Sequence, residues 1–195
     1  MLTIDLLRHG ALQGGVKYRG SMEEALTEQG RDSMNQVWAH IQQDVTSIIS
    51  SPLSRCAEPA QSWAKERQIP CVIEPLLQEL HYGEWEGLTA AEIEQHTPNQ
   101  LAKWRQDPTL LSPPQGESML LFAARVKQAW TQLLAQHQDG HILIVAHSGS
   151  MRLLLSLVLQ APIVSTRHLQ MPYACWSRVQ VKAQQASLCF HGKRV

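Results

Sequence analysis

The sequence carries no surplus of charge: 17 Lys and Arg residues balance 17 Asp and Glu residues over 195 positions. A nucleic-acid or anionic-membrane binder would show a basic excess, so both partner classes are disfavoured, while a local basic pocket for one small anion stays open. Cysteine is scarce and scattered. Cys56, Cys71, Cys175 and Cys189 form no CxxC pair, which removes metal and redox spacing and leaves too few for a disulfide scaffold at this length. Four reduced thiols in a reducing cytoplasm are expected. Long apolar runs are also missing. The longest, Leu153-Leu154-Leu155-Ser156-Leu157-Val158-Leu159, falls far short of the ~20 residues that span a bilayer and reads as a core helix. No basic segment followed by an apolar one opens the chain, so no secretory signal is expected. The sequence contains no DxDxDG, no HExxH and no GxxxxGK followed by Ser or Thr. No metal site, nucleotide loop or cofactor is therefore anticipated.

What is present suits a globular protein with a real core: 44% of residues are hydrophobic and 17% charged. Short apolar runs alternate with segments of helical periodicity. Strands are expected at 3–7, 46–50, 71–74 and 141–146, with two closing strands at 175–181 and 187–190. Helices are expected after Thr27, after the Ser51–Arg55 turn to about Arg67, over Thr89–His96, from Asn99 to about Asp107, from Ser118 to about His137, and from Ser150 to Leu159. Such alternation implies a largely parallel sheet covered on both faces. One domain over 1–195 is predicted, with a helical insertion at about 88–116 covering the site. Self-association is neither demanded nor excluded.

Three strand ends carry the chemistry. The first strand delivers Arg8, His9 and Gly10, and the glycine lets the backbone turn and approach a ligand. The second leads to Ser51-Pro52-Leu53-Ser54-Arg55, a helix start whose amides and dipole favour an anion, with Arg55 adding a fork of donors. Pro59 is expected early in that helix, where a missing amide costs little. The fourth strand ends in His147-Ser148-Gly149, whose helix-start amides are expected to point at whatever His147 touches. Ligands of open α/β sheets bind outside the carboxyl ends of the strands. Between these ends lies the loop Leu77–Gly87, with Glu79, Glu84 and Glu86 among Tyr82 and Trp85. A carboxyl group desolvated among such rings can hold its proton near neutrality; for Glu84 and Glu86 a solvated surface position is expected instead. Two arginines and a helix start ask for a dianion, most simply a phosphate. One histidine could attack phosphorus and one glutamate could protonate the leaving oxygen.

The ordered motifs LLRHG, SSPLSRC, ELHYGEWEG and VAHSG resemble those of the histidine phosphatase superfamily, also called the phosphoglycerate-mutase-like family, over nearly the whole chain. The resemblance implies a three-layer α/β/α sandwich with a mostly parallel central sheet. It implies His9 as the nucleophile that becomes phosphorylated, Glu79 as the acid, and Arg8, Arg55 and His147 as the catalytic shell around the phosphate. It also implies a small phosphorylated substrate and no metal. Ser148, Gln13, Arg19 and Ser21 are further candidates for substrate contact, and Trp85 for the leaving group. The segments GGVKYRGSMEEALTEQG, PPQGES and ACWSRVQV are similar to those of alpha-ribazole phosphatases. That likeness implies removal of the 5'-phosphate from alpha-ribazole 5'-phosphate or adenosylcobalamin 5'-phosphate. A broad phosphatase or a phosphoglycerate mutase is the alternative on the same scaffold, and a non-catalytic phospho-ligand module the alternative of another class. Two departures from the family pattern stand out. Ala11 and Leu12 replace the usual Glu-Thr, so Gln13 or the amides of Gly14 and Gly15 stand where an asparagine binds phosphate; Pro59 stands where threonine is common.

Overall fold

The computed structural model describes residues 1–193, so Arg194 and Val195, at the end of the expected 1–195 domain, lie outside the described residues. Six strands form one sheet: β1 (Leu2–Arg8), β2 (Ser47–Ser50), β3 (Cys71–Ile73), β4 (Gly140–Ala146), β5 (Trp176–Lys182) and β6 (Gln185–Lys193). Their order is β3-β2-β4-β1-β5-β6. The first four are mutually parallel, β5 runs antiparallel to β1, and β6 returns antiparallel to β5. The β5–β6 turn is Ala183-Gln184, both at positive φ, as a two-residue hairpin of right-handed twist requires.

The helices are α1 (Glu28–Ile41), α2 (Ser54–Arg67), α3 (Ala90–His96), α4 (Gln100–Gln106), α5 (Met119–Gln136) and α6 (Ser148–Leu159). Side-chain alternation along the strands divides the core. Leu2, Ile4, Leu6, Ile142, Ile144 and Ala146 face one side and pack on α5 and α6. Leu7, Ile48, Leu143 and Val145 face the other and pack on α1 and α2. That division is the three-layer α/β/α arrangement with a mostly parallel sheet. Helix α1 buries Met34, Val37, Trp38 and Ile41 at the spacing expected, and the Thr27 hydroxyl caps it by accepting from the Gly30 amide at 2.9 Å. Among the described residues no helix is long and apolar enough to cross a membrane.

Some local expectations need correction. Helix α6 begins at Ser148, two residues earlier than periodicity suggested, because His147 serves as its N-cap residue. Pro59 lies beyond the first turn of α2, so it removes one interior i→i−4 bond rather than a spare amide. A single-turn 3-10 helix, Pro75–Leu77, leads into the glutamate-rich segment, and a second, Gly83–Trp85, lies within it. Gly10 is needed for close approach to α1 rather than to a ligand: a Cβ there would sit 2.0 Å from the Gly30 carbonyl oxygen.

On the α1/α2 face a fully buried carboxylate, Asp5, bridges three strands. His141 Nε2 on β4 lies 2.7 Å from it, and Arg178 on β5 donates to both its oxygens at 2.8 and 2.9 Å. Burial pushes the Asp5 carboxyl up, but the hydrogen bonds from Arg178 and His141 outweigh it and hold the group below its ordinary value. Because the folded value is depressed, this stabilisation is complete above the unfolded value and disappears as pH falls through the folded one. Asp5→Asn is expected to cost about 2 kcal/mol at pH 7, toward the lower end for breaking a buried pair because Arg178 is part-exposed. Urea unfolding from pH 7 downward should find the gap to the parent protein closing below about pH 4.

Candidate active site

The register of β1 on β4 sets Arg8 opposite Ala146, and the His9 amide donates to the Ala146 carbonyl at 3.0 Å. The two histidines that follow these strands are therefore neighbours, with ring centroids 5.3 Å apart. His9 opens onto the floor of a cleft of about 690 Å³ at the carboxyl ends of the parallel strands.

His9 is buried to 5% exposure. Its Nδ1 lies 2.9 Å from the Gly10 carbonyl oxygen, which can only accept, so Nδ1 carries the proton and Nε2 keeps its lone pair. Burial, then the charges of Arg8 and Arg55, hold the His9 imidazole well below its ordinary value. A neutral ring with a free nitrogen is the form that acts as a nucleophile. Arg8 lines the cleft with its guanidinium 4.2 Å from the centre of the Tyr173 ring, and one of its terminal nitrogens donates to the Met171 carbonyl.

Arg55 sits on the first turn of α2, 2% exposed. Its terminal nitrogens donate to the Met22 and Gly20 carbonyls at 2.7 Å each, and its Nε donates to His147 Nδ1 at 3.3 Å. His147 Nδ1 is thereby the acceptor, Nε2 carries the proton, and it donates to Ser51 Oγ at 2.6 Å. Burial, then Arg55, keep this second imidazole well below its ordinary value as well. His147 is fully buried; it stands behind His9 and Arg55 rather than on the cleft surface. Cys56, 3.7 Å from His147 Nε2, has its thiol pushed strongly up by burial and is inert.

Glu79 is 7% exposed and lines the cleft. Its carboxylate accepts from the Gly149 amide at 3.0 Å, the Leu80 amide at 3.0 Å and Ser148 Oγ at 3.4 Å. The amide at the start of α6 is thus directed at Glu79, not at the partner of His147. The start of α2 is likewise occupied from within: the Ser54 amide donates to Glu23 at 3.0 Å. No foreign anion is needed there.

Of the expected substrate contacts, Ser148 and Arg19 line the cleft. Arg19 is 6% exposed, ion-paired to Glu24, and wrapped by the Gln13 and Gly15 carbonyls. Gln13 itself is exposed and outside the cleft lining; its backbone serves by holding Arg19. Ser21 turns away to bond Glu86. Glu86 is accordingly no solvated carboxylate, because it accepts from the Ser21 and Tyr82 amides at 2.8 and 3.1 Å. Glu84 is exposed as expected. Trp85 is fully buried with Ile93 and Leu101, which makes it core rather than a leaving-group contact.

Other lining residues escaped the sequence reading. Ala90, Trp104, Arg105 and Pro108 come from the region 88–116. Arg167 and His168 come from a 3-10 segment, Ile163–His168, and Tyr173 from the turn before β5. Arg152 was within reach, since it follows Ser148 by four residues and so shares its helix face. Among the described residues no three His, Cys, Asp or Glu side chains gather as a metal ion would require.

Over residues 4–192 the sequence matches the family described as the Histidine phosphatase superfamily (branch 1). Bifunctional protein Rv2228c of Mycobacterium tuberculosis is 30% identical over 186 residues, covering 93% of this chain and 51% of that protein. The chain therefore spans about half the length of this curated relative. The adenosylcobalamin/alpha-ribazole phosphatase of Escherichia coli is 26% identical over 186 residues, covering 94% of this chain and 92% of that protein. Among solved structures, mycobacterial glucosyl-3-phosphoglycerate phosphatase Rv2419c superposes with a TM-score of 0.88 at 25% identity, covering 99% of each chain. With this match running over nearly its whole length, the chain belongs to the histidine phosphatase superfamily, branch 1.

Proposed function

We propose that the protein is a metal-independent phosphomonoesterase acting through a phosphohistidine at His9. The observation that carries this reading is the His9 tautomer: Nδ1 is tied to the Gly10 carbonyl, which leaves Nε2 as a neutral nucleophile beside two arginines. Arg8, Arg55 and Arg19 bind the phosphoryl oxygens, with Arg19 in place of the donor that Gln13 does not supply, and they stabilise the charge spread over those oxygens as the P–O bond breaks. His147, its tautomer fixed by Ser51 and Arg55, backs the phosphate shell and orients Arg55. His9 Nε2 forms the new bond to phosphorus while the ester oxygen departs with a proton from the Glu79 carboxyl group. Glu79 then takes a proton from the water that attacks the phosphohistidine, returning free His9 and inorganic phosphate.

The substrate read from the resemblance is alpha-ribazole 5'-phosphate or adenosylcobalamin 5'-phosphate. Two things support it: the Escherichia coli relative of that name aligns over more than nine-tenths of both chains, and the cleft walls include Tyr18, Tyr82, Trp104 and Phe122, suited to a flat ring. A phosphorylated organic acid, as a phosphoglycerate mutase would take, is the second reading, favoured by Arg105, Arg152 and Arg167 in the same cleft.

Three outcomes are expected. His9→Ala should lower p-nitrophenyl phosphate hydrolysis to below about 0.1% and abolish acid-labile labelling by radioactive phosphate ester; retained turnover would end the mechanism. Glu79→Gln should lower kcat/KM for alkyl phosphates by about 10²-fold or more while sparing kcat/KM for p-nitrophenyl phosphate, whose leaving group needs no proton. In a steady-state comparison, kcat/KM for alpha-ribazole 5'-phosphate should exceed that for 3-phosphoglycerate and for simple phosphomonoesters; the reverse order favours the second reading.

A further inference from the structure

The long helix α5 carries an arginine that the mechanism above does not use. Arg125 lies behind Glu79, with its guanidinium 4.5 Å from the centre of the Phe122 ring. One terminal nitrogen donates to the Leu76 and Gln78 carbonyls at 2.8 and 2.6 Å, and the other to the Glu79 carbonyl at 3.0 Å. The remaining donors form a two-pronged pair with Glu117, at 2.7 and 2.8 Å. Glu117 belongs to the Pro-Gln-Gly-Glu-Ser segment, and its own amide donates to the His81 carbonyl at 2.8 Å. The packing there is tight, since a Cβ on Gly116 would come within 2.7 Å of the His81 carbonyl oxygen.

Three donor contacts therefore fix the main chain on which Glu79 is mounted, and two more tie the guanidinium to Glu117. Among the described residues, the hydrogen bonds that hold the carboxylate itself come from the first turn of α6 and from its own neighbour's amide. Leu77 and Leu80 anchor this irregular segment in the core, and the Arg125 fork adds the directional contacts that hold the Glu79 main chain to the precision proton transfer demands. The planar fork of arginine suits this task, and a lysine, a point charge with rotatable donors, cannot span three carbonyls and a carboxylate together.

We propose that Arg125, locked by Glu117, is a positioning residue for the acid: it sets where the Glu79 carboxyl group meets the leaving oxygen and takes no part in binding phosphate. The inference rests on the reading of Glu79 as the acid. In kcat/KM its effect is confined to the step in which the Glu79 proton passes to the ester oxygen as the His9 Nε2–phosphorus bond forms; its effect on the later hydrolysis of the phosphohistidine is common to all esters. The kcat/KM value reports the first of these steps, because it covers events up to formation of the phosphohistidine.

The test is leaving-group dependence. Arg125→Lys is expected to lower kcat/KM for an alkyl ester such as β-glycerophosphate by about tenfold or more, within the range a displaced general acid loses, and to leave p-nitrophenyl phosphate within about threefold of the parent. Glu117→Gln, which frees the fork without touching the three carbonyls, should shift the ratio the same way to a smaller extent. The double variant Arg125→Lys with Glu79→Gln should be no slower on the alkyl ester than Glu79→Gln alone, since residues acting through one group do not add. Equal losses on both esters in Arg125→Lys, or losses that multiply in the double variant, overturn the inference while leaving the acid assignment standing. If Glu79→Gln itself loses equally on both esters, the acid assignment fails and the inference falls with it. Thermal melting of each variant identifies one that is unfolded; should Arg125→Lys not fold, Glu117→Gln with an unchanged ester ratio overturns the inference by itself.

Discussion

The parallel register of β1 on β4 is the constraint on which the site depends. Seven consecutive pairs, from Leu2 with Gly140 to Arg8 with Ala146, bring the two strands to an end side by side. The next residue on each is a histidine. A slip of one residue would turn Leu2, Ile4 and Leu6 from the α5/α6 face to the other and bury the wrong set. The hydrophobic pattern that fixes the sheet therefore also fixes the distance between the two imidazoles. The adjacent pairing of β2 on β4 adds Ser51 and, one helix turn later, Arg55 to the same edge.

Two buried imidazoles and the guanidinium groups of Arg8 and Arg55 share a small volume, and burial, reinforced by the arginine charges, favours the neutral form of both rings. Each ring then offers one donor and one acceptor, and the carbonyl of Gly10 and the hydroxyl of Ser51 decide which nitrogen is which. The arginines are satisfied by main-chain carbonyls as much as by carboxylates: Met22 and Gly20 for Arg55, Gln13 and Gly15 for Arg19. Carbonyls orient a guanidinium while cancelling only part of its charge. The floor of the cleft stays cationic in a chain whose formal net charge is zero.

Much of the fold was legible because it rests on short-range periodicity. The stripe Met34, Val37, Trp38, Ile41 and the run Ile142 to Ala146 have one sensible packing each, and Arg8, Arg55, Glu79 and the two histidines stand at the ends of such runs or in motifs of high specificity. What escaped depends on the tertiary approach of segments without a period of their own. Tyr173 reaches Arg8 because Ala174, at positive φ, turns the chain back so that its amide meets the His9 carbonyl; nothing in the residues around it signals that turn. Glu86 looked like a surface carboxylate because the amides that hold it, those of Ser21 and Tyr82, come from a distant loop and an irregular bend. Glu23 capping α2 across thirty-one positions is the same kind of contact.

Gly149 illustrates how such a contact shapes the sequence. It lies in the first turn of α6 with ordinary helical backbone, so no left-handed torsion demands glycine there. A Cβ at that position would stand 2.2 Å from Glu79 Oε1 and 2.9 Å from the Phe122 ring. Alanine, the better helix former by about 1 kcal/mol, is shut out by the volume of a carboxylate that belongs to another part of the chain. The helix accepts a weaker opening turn so that one oxygen has a seat against its amide. The vocabulary of residues tolerated at position 149 is written by Glu79, seventy positions away.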